Sequence, residues 1–247
     1  MEMTLATLRA YGFIGMKLAA EDGSLSGSFL IVSAVIAAVF AYLIGGLNFA
    51  IIISKVKYGD DIRKYGSGNA GMTNMMRTYG RAAGIFTLVG DLLKAVVAVL
   101  LTRFLVGETI AYIAGLSCML GHCFPCWYGF KGGKGVATAA AMILCLEPVV
   151  FLFVFITFVI VVAVTKYISL GSIMSALMYP MVLTAFYPHI CPYHNYLYFV
   201  IVICSVLTTL LILFMHRENM KRLLAGKENK FSFKKKGTQN DENINKD

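Results

Sequence analysis

Apolar and polar residues fall in long blocks along this chain, not at the two-residue period of a strand. Phe29–Ile53 is apolar almost throughout and has the ~20 residues that a helix needs to cross a bilayer. A polar block, Lys55–Arg81, separates it from a second apolar run, Gly84–Val106, which carries Asp91 and Lys94 three positions apart, and so on one helical face. A third run, Thr109–Leu120, is short. At ~1.5 Å per residue, even extended to Phe124 it falls short of a ~30 Å hydrocarbon core, so the loop after it is expected to sink into the membrane surface. Gly135–Thr165 is too long for one upright span. Glu147-Pro148 sits near its middle, and proline disfavours helix at the residue before it, so two shorter spans are expected to turn there. Leu170–Tyr187, followed by a turn holding Pro188 and Pro192, and Leu197–Met215 complete the pattern. It predicts an all-α integral membrane protein of about seven transmembrane helices, some of them short.

Charge tests that count. One set of loops holds Lys55, Lys57, Arg63, Lys64, Arg77 and Arg81, then Lys131 and Lys134, then Lys166, then a basic tail. The opposite set holds Glu108, Glu147 and two histidines, with no Lys or Arg. The positive-inside rule puts the N-terminus outside and the C-terminus in the cytoplasm; merging 135–165 into one span would strand the tail on the wrong side. The chain is 58% apolar and 14% charged, and its net charge of +9 lies between apolar segments. That placement suits anionic lipid or phosphate ligands, and no nucleic-acid partner is expected. Three regions follow: a mixed N-terminal extension (1–27) without the succession of a cleaved signal peptide, a membrane-embedded domain (28–228), and a polar tail (229–247) expected to be disordered. The extension reads either as an amphipathic surface segment or as an upstream addition to the core. Of the six cysteines, Cys123 and Cys126 form a C-x-x-C beside His122, but no second ligand pair has matching spacing. Free thiols are expected, with no metal and no cofactor.

Three polar clusters carry candidate chemistry. In the first, Lys131-Gly132-Gly133-Lys134-Gly135 opens a helix at Val136. Glycines let backbone N–H groups approach a ligand, the first N–H groups of a helix lack internal partners, and two lysines add charge: together, a phosphate cradle. The alternative is a flexible turn with positive-inside lysines. A Walker loop is disfavoured, since Gly129 to Lys134 is one residue too short and Gly135 replaces the Mg²⁺-binding hydroxyl. In the second cluster, Arg77 can grip a phosphate bidentately while Ser67, Asn69, Thr73 and Asn74 donate to oxygens. In the third, His216, Asn219 and Arg222 share one helical face, and His216 could act as a base. His122 is read as shaping its loop, and the Asp91–Lys94 pair as internal to the bundle. All three clusters fall on the predicted cytoplasmic face and point to phosphate-containing substrates. An organic-phosphate transporter is the rival class, but no repeated half is visible and the polar clusters avoid the midplane.

Here the sequence resembles a family. GSGNAGMTNMMR (66–77), GHCFPCWYGFKGGKGVAT (121–138) and HRENMKRLLAGKE (216–228) are similar, in order and spacing, to the three motifs of bacterial acyl-phosphate:glycerol-3-phosphate acyltransferases, the PlsY family. The resemblance spans roughly residues 28–228. It implies transfer of a fatty acyl group from acyl phosphate to glycerol 3-phosphate, giving lysophosphatidic acid, the first step of phospholipid synthesis. It also implies a bacterial inner-membrane protein with its active site facing the cytoplasm, and an acyl-phosphate-forming enzyme as a partner. By the same resemblance Ser67, Arg77, His216 and Asn219 match residues needed for activity, the glycines of 132–135 an acyl-phosphate loop, and Glu228 a residue of structural integrity. Asp91-Leu92-Leu93-Lys94 is also similar, although Ala95 stands where glycine is expected, and Trp127 and Tyr128 are aromatic variations. The implied mechanism has Arg77 and nearby lysines hold the glycerol 3-phosphate, while glycine N–H groups and lysines stabilise the leaving phosphate. His216 or a substrate phosphate oxygen assists the attacking hydroxyl. Ser67 as a covalent carrier is disfavoured, because no paired base lies near it.

Overall fold

A computed structural model describes residues 5–19, 25–190 and 198–230, and among these every regular element is helical. In chain order they are α1 (Leu5–Leu18), α2 (Gly27–Gly45), α3 (Phe49–Tyr58), α4 (Met72–Tyr79), α5 (Arg81–Val106), α6 (Glu108–Cys123), α7 (Val136–Leu146), α8 (Pro148–Thr165), α9 (Ile168–Ile190), α10 (Tyr198–Met215) and α11 (Arg217–Leu224). Among the described residues six segments are long and apolar enough to cross a membrane: 27–58, 81–106, 108–128, 148–165, 168–187 and 198–215. The seventh expected segment, α7, has 11 residues and at ~1.5 Å per residue spans only half a bilayer.

Local chemistry explains where these helices stop. The run expected to be one helix over 29–53 is two. Glycines at 45 and 46 end α2, and the Asn48 side chain caps α3 by accepting from the Ile51 N–H at 3.1 Å. The turn at Glu147-Pro148 is present as expected, with the proline at the first position of α8, where its missing N–H is harmless. Pro188, expected in a turn, lies within α9, while Pro192 falls outside the described residues.

Helices in lipid gain little from apolar contact with one another, so close backbone approach through small residues does the packing. A Cβ added at Gly45 would lie 2.0 Å from the Cys118 carbonyl oxygen, and one at Gly121 would lie 2.1 Å from that of Tyr42. Glycine is therefore required on both sides of the α2–α6 contact. Around it sits a core of small residues, Ala37, Ala41, Ala95, Ala98, Ala114 and Ala141. A second core of larger side chains, including Tyr112, Met142, Leu146, Tyr179 and Leu183, joins α6, α7 and α9. Ile31, Val35, Ile36, Leu152 and Ile160 face outward, as a lipid-facing surface requires.

The first part of the extension forms α1, which kinks at Gly12 and packs against the α5–α6 turn. Arg9 is its key. The guanidinium donates to both Glu108 oxygens at 2.7 Å and to Glu147 Oε1 at 2.7 Å, and the Tyr112 hydroxyl adds a 3.4 Å contact to Glu147. Residues 231–247 of the polar tail lie outside the described residues.

Burial and the neighbouring Glu108 push the Glu147 carboxyl above the ordinary range even with Arg9 in place. Arg9→Met should therefore cost about 3 kcal/mol in detergent, because two adjacent buried carboxylates lose their counter-charge. A raised folded-state pKa means that the native state holds more protons between the ordinary carboxylate range and neutrality. The deficit of the variant should shrink as pH falls through that window, which thermal unfolding at pH 8 and pH 5.5 would show.

Candidate active site

The glycine stretch is built on the end of α6. After Cys123 the chain turns through Pro125, and Phe130 and Gly129 both take positive φ. Gly132 N–H then donates to the Cys123 carbonyl at 3.0 Å and Gly133 N–H to that of His122 at 3.1 Å. These bonds satisfy two of the orphan carbonyls at the helix end. They also correct the expected cradle: the N–H groups of Gly132 and Gly133 are spent on α6 and do not face a ligand. Glycine is required here for tight packing. A Cβ at Gly132 would sit 2.0 Å from the His122 oxygen, and one at Gly133 would sit 2.1 Å from His122 Nε2. The donors that remain for an anion are the first N–H groups of α7, which begin after Gly135 in the left-handed region at φ 76°, and the Lys134 ammonium beside them. Lys131 is exposed.

A residue that sequence reasoning passed over holds this loop from the side. Arg63 Nη1 donates to the carbonyls of Tyr128 at 2.6 Å and Lys131 at 2.9 Å, while Asp61 holds the rest of its guanidinium. It joins the first polar cluster to the second. Within the second cluster Asn74 is buried and turned inward: its amide donates to the carbonyls of Ile62 and Tyr65, and its oxygen accepts from Ser67 N–H at 3.0 Å. Its side chain shapes the loop in place of reaching out as a ligand. Ser67 on the resulting turn and Thr73 and Arg77 on α4 are exposed, and Asn69 is half-buried. Asn48, also missed, donates to the Ala70 carbonyl at 3.3 Å; its signal was the cap position after Gly45-Gly46.

The third cluster begins where α10 ends. His216 is buried, and its Nδ1 lies 2.8 Å from the Ile212 carbonyl, so Nδ1 carries the proton and Nε2 keeps its lone pair. Burial, and next the charge of Lys134, push its pKa down to about 4. One turn on, the Asn219 side chain accepts from the Lys134 ammonium and donates to Glu228 Oε1 at 2.7 Å. Glu228 also accepts from Arg222 Nε at 2.8 Å and from the Ser169 hydroxyl at 2.8 Å. Burial opposes its ionisation, yet these donors outweigh it and hold the carboxyl below the ordinary range. Ser169, at the start of α9, carried no signal in the sequence.

Lys134 ties the clusters together. Burial and then the charges of Arg222 and Arg77, with Glu228 opposing, bring its pKa down to about 8. The charges of two arginines from two other motifs thus both bear on Lys134, with Glu228 opposing them, which is the electrostatic pattern of an anion site. Asp91 and Lys94 lie buried on α5 beneath the loop, against His122.

Comparison with known proteins gives the same answer. The glycerol-3-phosphate acyltransferase family profile matches residues 35–226, which leaves α1 outside the match. A glycerol-3-phosphate acyltransferase of Thermoanaerobacter is 41% identical over 203 residues, covering 81% of this chain and 97% of that protein. Those of Clostridioides difficile (41% over 217 residues; 83% and 98%) and Coxiella burnetii (42% over 198 residues; 79% and 97%) are comparably similar. Two crystal structures of PlsY (YgiH), an integral membrane glycerol 3-phosphate acyltransferase, superpose on it. The glycerol 3-phosphate form gives a TM-score of 0.72 at 34% identity, and the lysophosphatidic acid form 0.69 at 32%. Each covers 81% of this chain and 96% of its own. By motif, fold and sequence alike, this chain belongs to the glycerol-3-phosphate acyltransferase family.

Proposed function

We propose that this membrane acyltransferase takes its acyl group from an acyl phosphate and delivers it to glycerol 3-phosphate, yielding lysophosphatidic acid and inorganic phosphate. The observation that carries the reading is the chain of contacts from Lys134 through Asn219 and Glu228 to Arg222, within reach of the charge of Arg77, since both substrates bring a phosphate and the site gathers charge for them. The acyl phosphate lies with its phosphate on the N-terminus of α7 and Lys134, and its chain between helices. Arg77, with Ser67, Asn69 and Thr73 of the same motif, holds the phosphate of glycerol 3-phosphate. The primary hydroxyl attacks the acyl carbonyl, the bond from that carbon to the phosphate oxygen breaks, and the phosphate leaves with the electron pair. The hydroxyl proton passes to a substrate phosphate oxygen or to Nε2 of His216. Glu228 fixes Asn219 and Arg222 in place. The basic loops favour a site on the cytoplasmic side of the membrane with the N-terminus outside, and membership of this bacterial family favours the inner membrane. An acyl-phosphate-forming enzyme would supply the donor.

Purified protein in detergent, given labelled glycerol 3-phosphate and either acyl phosphate or acyl-CoA, should make lysophosphatidic acid much faster from acyl phosphate. Equal or better rates with acyl-CoA would overturn the donor assignment.

Gly133→Ala should raise the apparent KM for acyl phosphate and lower stability by about 1–3 kcal/mol, because its methyl group collides with His122 and must displace the loop. A rise confined to the KM for glycerol 3-phosphate would mean that the two phosphate sites are exchanged.

The pH dependence separates the candidate bases. A kcat/KM profile reports free enzyme and free substrate, so a limb due to His216 belongs near pH 4, where the imidazole gains its proton. A phosphate monoester titrates near pH ~6. The acidic limb should lie at the higher value and survive in His216→Ala, which should lose kcat through misplacement of the hydroxyl. Disappearance of that limb in the variant would make His216 the base.

A further inference from the structure

We infer that Asp91, Lys94 and His122 form a buried positioning triad that fastens the glycine loop to the loop of the first motif. The inference rests on the reading of the glycine loop as the acyl-phosphate site. The three side chains are nearly sealed from solvent, with exposures of 4, 3 and 5%. An ammonium in such a place must be neutralised and have its donors satisfied. Lys94 has three N–H donors and three partners: Asp91 Oδ1 at 2.8 Å, the Leu47 carbonyl at 2.9 Å and His122 Nδ1 at 2.9 Å. The Asp91 contact is an ion pair without the alignment of a hydrogen bond, and the same oxygen lies 3.4 Å from His122 Nδ1. With two donors in hydrogen bonds, its charge paired by Asp91 and its side chain buried, Lys94 is not a phosphate ligand. Its work is internal.

That work reaches the loop through the imidazole. An Nδ1 held 2.9 Å from an ammonium must present its lone pair, so the neutral ring carries its proton on Nε2. Nε2 stands against Gly133: a methyl group there would lie 2.1 Å from it and 2.7 Å from the Ala70 carbonyl oxygen. The His122 carbonyl meanwhile accepts from Gly133 N–H. Ring and backbone of one residue therefore clasp one glycine. The far end of the triad is anchored equally well. Leu47 lies in the break between α2 and α3, and the next residue, Asn48, donates to that same Ala70 carbonyl. The triad joins α5 and α6 to the α2–α3 break, and both of these to the two substrate loops.

A charge-removal cycle separates positioning from mere stability. Asp91→Asn and Lys94→Met alone each leave a buried charge unpaired, so both should lose thermal stability and activity. The double variant removes both charges, and its Tm should return most of the way to the parent value. Its KM for acyl phosphate should nevertheless stay raised by about tenfold or more, the scale of a sub-ångström to ångström misplacement, with little change in KM for glycerol 3-phosphate. Recovery of KM together with Tm would overturn the inference. Lys134→Met serves as the reference: if it leaves the acyl-phosphate KM unchanged, the reading of the loop fails, and the inference with it. Should the double variant not fold, ¹⁵N NMR of the imidazoles in the intact protein still decides the point. His122 should be a neutral Nε2–H tautomer, lost in Lys94→Met, and an Nδ1–H ring in the parent would overturn the triad.

Discussion

The contact between the Lys134 ammonium and the Asn219 side chain is the one on which the rest of the site depends. It spans 85 residues of sequence and joins the start of α7 to the start of α11. Asn219 can turn its oxygen to the lysine only because Glu228 takes its amide, and Glu228 can stay ionised in a half-buried place only because Arg222 and Ser169 also donate to it. The result is a line of charge and hydrogen bonds running from the glycine loop into the third motif. Two arginines lean on Lys134 and weaken its hold on its proton. On the proposed chemistry an arriving dianionic phosphate reverses that balance: it strengthens the hold of Lys134 on its proton and offsets the repulsion among the cations. Affinity for phosphate would thus be stored as electrostatic tension among these cations.

Helix length is the second constraint. With 11 residues, α7 cannot carry its polar ends to both membrane surfaces. On the proposed placement in the bilayer, the shortfall at one end sets the glycine loop back toward the hydrocarbon, where charged groups lose solvation and attract anions more strongly. At the other end it leaves Glu108 and Glu147 buried side by side. The helix α1, which lies outside the family match, fills that end and brings Arg9 as counter-charge. In this chain the extension thus supplies the counter-charge for that buried pair.

Much of this was legible in the sequence. Apolar block lengths and the Glu147-Pro148 signal located α5 to α10, because lipid enforces length and proline enforces a break. The break in 29–53 was missed because two glycines and one capping asparagine weigh little against 25 apolar-rich positions, and only the close approach of α6 shows why glycine stands at 45. The three motifs announced phosphate chemistry, but residue type could not say which groups face a ligand. Asn74 looks like a donor and spends both amide hydrogens on carbonyls. Gly132 and Gly133 look like a cradle and spend their N–H groups on α6. Ser169 and Arg63 lie far in sequence from the groups they hold, and nothing in their neighbourhoods marks them.

On the proposed chemistry, the low basicity of His216 becomes intelligible. An acyl phosphate is an activated mixed anhydride whose leaving group is a stable phosphate ion, so the attack needs little help from a strong base. It needs the hydroxyl held in line and the departing charge received. An imidazole pushed down to about 4 stays neutral at the working pH, keeps its Nε2 lone pair available, and adds no fourth positive charge to a site that already crowds Lys134, Arg77 and Arg222. A protonated histidine there would compete with Lys134 for the same anion. Burial, which makes His216 a poor base, is what keeps it a dependable acceptor. The site spends its electrostatics on the phosphates and leaves the nucleophile to be aligned by neutral groups, which is where preorganisation contributes most to the barrier.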